Sequence, residues 1–335
     1  MANKKIIVTG GAGYCGGILV PQLLSENYDV TVYDTMFYGD KHLPKGNPNL
    51  QLIKGDIRDI SKLKESLEGN EYLLHLACIS NDTSFELNEE LSTTINLNAF
   101  EPLVSAAKEA GVKRFIYASS SSVYGVSDAP EVFEDHPLIP LTLYNKYKGM
   151  CEPILFKYTD ENFIGVIFRP ATVCGYSPRL RLDLSVNILT NLAINKGIIT
   201  VFGGEQLRPN LHIQDYSDLC LKLLDAKKSI VQNKTFNCGY ENMSIMDIAE
   251  TVKKVVEREF PEKPLIKIEV TSSDDKRSYH INSDKIKNEI DFVPKLSVEN
   301  AIIDLCKAFK KGLIPNSFDD DKYYNVRTMK KIKIS

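Results

Sequence analysis

Val8-Thr9-Gly10-Gly11-Ala12-Gly13-Tyr14-Cys15-Gly16 joins a short apolar run at residues 5–9 to an apolar, helix-periodic stretch at residues 16–26. It satisfies G-x-G-x-x-G and G-x-x-G-x-x-G at once, between a strand and a helix, which is the context that gives the pattern meaning. Glycine permits the tight turn and lets the backbone approach a pyrophosphate, whose charge then meets the helix N-terminus. Gly10, Gly13, Tyr14, Cys15 and Gly16 are the candidate contacts on this turn. The next strand, residues 28–33, runs into Asp34. A carboxylate there accepts hydrogen bonds from ribose hydroxyls and repels a 2′-phosphate, so NAD is favoured over NADP; the bland alternative is a strand-end cap. Asp56, with Ile57 beside it, ends the third strand, where it serves either the adenine or an ordinary turn.

Outward from this turn the chain alternates. Buried-strand patterns at residues 50–53, 72–76, 114–118 and 163–169 are separated by helical patterns such as residues 97–110. That rhythm predicts an α/β, Rossmann-type, doubly wound parallel sheet. Past Pro170 the pattern loosens into a helix at 177–195, a strand at 199–202 and a helix at 244–259, a smaller mixed α/β C-terminal lobe. The reading is an NAD-binding domain over residues 1–170 to which 212–240 return, and a substrate lobe over 171–211 and 241–330. The 335 residues carry a formal net charge of −3, which offers nucleic acid no overall attraction. Seven scattered cysteines without a C-x-x-C pair read as reduced thiols of a cytoplasmic protein. No apolar run approaches the roughly 20 residues that span a bilayer, and no His, Cys and carboxylate spacing suggests a metal.

Tyr144-Asn145-Lys146-Tyr147-Lys148 is Y-x-x-x-K, which on a helix sets phenol and ammonium on one face. A free phenol, with a pKa of about 10, is a poor base near neutrality; the Lys148 ammonium and a nicotinamide cation favour the phenolate. Upstream, Ala118-Ser119-Ser120-Ser121-Ser122-Val123-Tyr124-Gly125 follows a buried strand, where hydroxyls reach the ligand crevice.

Glycine turn, S-S-x-x-V-Y-G and Y-x-x-x-K in this order resemble the extended short-chain dehydrogenase/reductase superfamily, in its nucleotide-sugar epimerase/dehydratase group (UDP-glucose 4-epimerase-like), over nearly the whole chain. The resemblance implies Ser120 as the catalytic serine, Tyr144 as the base and Lys148 as the lysine that also holds the nicotinamide ribose. It further implies Asn96, which organises the helix beside the cofactor, and Leu76 and Ala77 on the loop passing it. Dehydratases and decarboxylases of the group carry a Glu where this chain has Ser122. Neither Ser121 nor Ser122 supplies the additional acid or base that elimination requires, so oxidation and reduction at C4 remain.

In Arg169-Pro170-Ala171-Thr172-Val173-Cys174-Gly175, Thr172 replaces the group's usual Asn. Arg208 and Arg277 resemble the arginines that close on the substrate diphosphate, a task suited to a planar fork; either alone reads equally as a salt bridge. Ser121, Arg179 and Asn187 complete the substrate candidates. The expected function is an NAD-dependent nucleotide-diphosphate-sugar 4-epimerase working through a transient 4-keto sugar. The alternatives are a 4-dehydrogenase or 4-ketoreductase and, from another class, a noncatalytic dinucleotide sensor. The group's habit of pairing helices, here residues 97–110 and 144–158, predicts a homodimer.

Overall fold

The computed structural model describes residues 3–273 and 278–332. Twelve strands follow one another along these residues: β1 (Lys4–Thr9), β2 (Tyr28–Asp34), β3 (Leu50–Lys54), β4 (Tyr72–His75), β5 (Arg114–Ala118), β6 (Ile164–Pro170), β7 (Thr172–Cys174), β8 (Ile198–Phe202), β9 (Leu207–His212), β10 (Lys234–Cys238), β11 (Glu241–Ser244) and β12 (Lys267–Thr271). Seven of them form one parallel sheet in the order β10-β6-β5-β4-β1-β2-β3. This is the Rossmann-type doubly wound sheet. Its strands are β-branched and aromatic runs buried on both faces, with Ile6, Val8 and Phe168 packed on one side and Ile7, Phe115 and Ile167 on the other. Winding reverses between β1 and β4, and the carboxyl ends there open the crevice in which such sheets bind ligands.

The chain leaves this sheet after β6 and comes back to it. Strand β10 pairs with β6, while β7, β9 and β11 form a separate three-stranded sheet and β8 pairs with β12. Helix Ile213–Asp225 also returns, because Arg114 at the start of β5 donates to the carbonyls of Leu223, Leu224 and Ala226 at 2.6, 2.5 and 2.8 Å. A guanidinium there satisfies the orphan carbonyls of a helix end and complements its dipole. Helix Ile245–Glu259 begins at a capping box between Ser244 and Asp247 and buries Ile248, Val252 and Val256 in one cluster with Val186 and Val201.

Two segments differ from the periodicity reading. Residues 177–184 are not helical, and the helix expected over 177–195 is Ser185–Lys196. Within 177–184, Leu180 and Leu182 are buried in an apolar cluster while Arg179, Arg181 and Asp183 face a cavity. Apolar and charged residues alternate with period two, as an extended segment requires. The helix expected over 97–110 opens instead with a π-helical turn, Thr94–Asn98, before Phe100–Glu109.

Candidate active site

A cavity of about 540 Å³ lies over the carboxyl ends of the sheet. One wall is the glycine turn. Gly10 has φ +78°, and a Cβ there would fall 2.5 Å from the Ala77 backbone nitrogen; a Cβ on Gly16 would lie 2.1 Å from the Gly11 carbonyl oxygen. Any side chain at either position would force the turn off the β4 loop or the helix behind it. Helix Gly16–Ser25 starts with no side-chain cap and no acid in its first turn. Its positive end therefore faces no carboxylate of its own first turn and suits an anion. Gly10, Gly13, Tyr14, Cys15 and Gly16 all line the cavity.

Asp34 sits at the tip of β2, its Oδ2 accepting from the Ala12 N–H at 3.0 Å and its Oδ1 from the Met36 N–H at 2.8 Å. Burial raises its carboxyl above the usual range, against the pull of those two N–H groups and Arg179. Lone pairs remain for ribose hydroxyls. Asp56 and Ile57 line the same end. Burial pushes the Asp56 carboxyl up, but the Arg58 guanidinium, 2.7 Å away, outweighs it and holds the carboxyl below its ordinary value. Leu76 and Ala77 border the cavity, and Asn96 does not. The Asn96 side chain instead accepts from the Ile79 N–H at 2.8 Å and donates to the Ile79 carbonyl at 2.9 Å, which fixes the loop that follows β4.

Tyr144 and Lys148 occupy the first turns of helix Leu143–Tyr158, capped by the Thr142 hydroxyl, and both line the cavity with Ser120. The Lys148 Nζ donates to the Ala118 carbonyl at 2.7 Å and lies 5.1 Å from the centre of the Tyr117 ring. The Ser120 and Ser122 hydroxyls are 2.7 Å apart, and Ser122 donates to Asn145 Oδ1 at 2.5 Å. Ser122 thus reaches the cavity, whereas Ser121 turns into the 3₁₀ turn Ser121–Tyr124 and is buried away from it. Burial, then Cys78 and Asp82, drive the Tyr144 phenol well above its ordinary value, and Arg181 pulls it down only in part.

Thr172 and Arg208 line the other end, where the Arg208 guanidinium lies 5.3 Å from the Tyr279 ring centre. Arg277 is outside the described residues. Asn187 is fully buried, and its amide ties Gly175, Tyr14 and Arg181 together rather than reaching the cavity. Arg179 does line it, but at the Asp34 end: its guanidinium stacks 3.8 Å over the Tyr38 ring. Sequence reasoning did not select Arg181, Cys78 and Asn325, which also line the cavity, and weighed Ser122 only as the place of a missing acid. The alternation Arg179-Leu180-Arg181-Leu182-Asp183 was a usable signal for Arg181; Asn325, arriving from a distant C-terminal helix, gave none. Among the described residues no group of three His, Cys, Asp or Glu could hold a metal, and no helix is long and apolar enough to cross a membrane.

Sheet, glycine turn and Tyr–Lys pair belong together in the dinucleotide-dependent oxidoreductases of the extended short-chain type. The sequence matches the model of the NAD dependent epimerase/dehydratase family over residues 6–239, and the chain belongs to that family. It is an NAD-dependent enzyme of the nucleotide-sugar group. It is 29% identical to a UDP-glucose 4-epimerase of Lactobacillus helveticus over 74% of this chain and 81% of that one. It is 26% identical to UDP-glucuronic acid decarboxylase 1 of Arabidopsis thaliana over 92% and 71%. A solved UDP-glucuronic acid 4-epimerase from Bacillus cereus, in complex with UDP-glucuronic acid and NAD, superposes with a TM-score of 0.80 at 27% identity, covering 92% of this chain and 99% of that one.

Proposed function

We propose that the chain is a nucleotide-diphosphate-sugar 4-epimerase with residues 171–211 and 241–330 as its substrate lobe. The observation that carries this reading is the Ser120–Ser122–Asn145 hydroxyl and amide chain beside Tyr144, with a hydroxyl at Ser122 where an eliminating enzyme of the group needs a carboxylate. NAD, held by the glycine turn and Asp34, would supply a reversible hydride acceptor for C4 of the sugar, whose 4-keto form could then be reduced on its other face. Tyr144 Oη removes the C4 hydroxyl proton and later restores it, while Ser120 Oγ hydrogen-bonds the same oxygen. Lys148, anchored on Ala118, lends positive charge to the phenolate. Arg208, with Arg277, takes the diphosphate, and Thr172 lies against the sugar. Electrons balance within each turnover, so no net oxidation results. A 4-dehydrogenase or 4-ketoreductase would use the same residues and release the sugar in a changed oxidation state.

The discriminating assay is incubation with UDP-glucose and UDP-glucuronic acid, followed by NMR of the products. We expect a 4-epimer with flat absorbance at 340 nm; absorbance that grows with sugar consumed would replace the epimerase by a dehydrogenase. We further propose a homodimer through helices Phe100–Glu109 and Leu143–Tyr158. They lie side by side, with Lys108 Nζ donating to the Tyr158 carbonyl at 2.7 Å and Met150 exposed on the outer face. Sedimentation at the mass of one chain would overturn the dimer. The seven unpaired thiols fit the reducing cytoplasm.

A further inference from the structure

Arg179 and Arg181 leave the cavity with cationic N–H groups that the described residues do not satisfy. Both side chains are nine-tenths or more buried and both line the cavity. Arg181 pairs with Asp183 at 2.9 Å and donates to Ser80 Oγ at 3.2 Å, yet its second terminal nitrogen has no partner among the described residues. Arg179 donates to Asn325 Oδ1 at 2.6 Å, and its Nε and Nη1 have none. Of these two buried guanidiniums only Arg181 has an ion-pair partner, an arrangement that costs stability until an anion enters.

Position says which anion. Arg179 stacks on Tyr38, acts electrostatically on Asp34 and His42, and its backbone lies behind Gly17 of the glycine-turn helix. Arg181 acts on Cys15 of the turn and on Tyr144. Asp34, Arg179, Arg181 and Tyr144 all line the same cavity, each acting electrostatically on the next. Tyr279, which carries Arg208 over its ring, lines the cavity and also acts on Tyr144. A dinucleotide has its pyrophosphate midway between its two riboses, opposite Arg179 and Arg181.

We propose that Arg179 and Arg181 form a two-guanidinium clamp on the NAD pyrophosphate, closing from the segment after β7 onto the glycine turn, and that they do not serve the sugar nucleotide. The glycine turn offers backbone N–H groups and a helix end; the clamp adds the full positive charges. Asn325 ties Arg179 to the C-terminal helix Asn325–Lys331, which holds the guanidinium in place. This inference rests on the family's use of NAD and stands apart from the epimerase reading, whose product assay it leaves untouched.

The test is calorimetric titration of the full chain with NAD+ and, separately, with UDP, in wild type and Arg179→Met. Loss of two charge-assisted hydrogen bonds should weaken NAD+ binding by about tenfold or more, with UDP binding changed less than about twofold. Because Arg179 is an unmatched buried charge, the substitution should also raise Tm by about 1–3 °C before NAD+ is added, which a merely structural arginine would not do. Unchanged NAD+ affinity, or weakening confined to UDP, would overturn the clamp. Should Arg179→Met fail to fold, Arg179→Lys keeps the charge while losing the planar fork. The same two titrations then decide, with weaker NAD+ binding expected and unchanged NAD+ binding refuting.

Discussion

Tyr144 shows how a residue type can be legible while its energetics are not. Y-x-x-x-K names the phenol and the ammonium, but what drives the phenol up, burial first and then Cys78 and Asp82, comes from segments far away in sequence. Tyr144→Phe should cut turnover by about a thousandfold, within the range for loss of a general base, while NAD+ binding by calorimetry stays within about twofold. A second residue gives a pH signature. His75, its Nδ1 2.7 Å from Thr9 Oγ1, is held down to about 3 by burial and by the Lys148 ammonium. Its unfolded value is near 6.5. Between these the unfolded chain binds the extra proton, so acidification from pH 6.5 toward 3 favours unfolding, by up to about 1.4 kcal/mol per pH unit. The contribution is complete above pH 6.5. Urea unfolding across that window should show a shallower pH slope in His75→Gln than in wild type; equal slopes would mean that His75 titrates normally.

Individual elements divide by how local their causes are. Strands of the main sheet are legible because each is a buried apolar run set between turns, and the glycine turn because only glycine fits where Gly10 and Gly16 stand. The π-helical turn Thr94–Asn98 is not, since one extra residue in a turn barely alters hydrophobic periodicity. Yet that turn lets Asn96 grip both polar groups of Ile79. Asn96→Ala would leave a buried N–H and C=O without partners, at roughly 2–4 kcal/mol. Denaturant midpoints should fall accordingly, and NAD+ should bind more weakly because the post-β4 loop loosens. Residues 177–184 carried a readable period-two pattern that helix propensity obscured; the alternation became decisive once Leu180 and Leu182 had a core to enter.

At the scale of the whole molecule, one buried network joins parts that no single stretch of sequence connects. Glu152 on helix Leu143–Tyr158 pairs with Arg169 of β6 at 2.6 Å and accepts from Ser119 at 2.6 Å. Arg169 donates on to Tyr124, and Tyr124 to Asn237 of β10, each at 2.6 Å. This pair lies directly behind the serine turn and the Tyr144 helix. Glu152→Ala strands a buried guanidinium and should cost about 3–5 kcal/mol in equilibrium unfolding; a loss under about 1 kcal/mol would make the network incidental. The return of β10 to the sheet is foreshadowed by the apolar run near residue 235, but the network and the approach of Asn325 arise from contacts between segments distant in sequence and leave no local trace. The central claim, that hydride leaves and re-enters one sugar carbon inside this cavity, is tested most directly with UDP-glucose deuterated at C4. Retention of deuterium at C4 in a product of inverted configuration is predicted, and release of the label or its accumulation on NAD would contradict it.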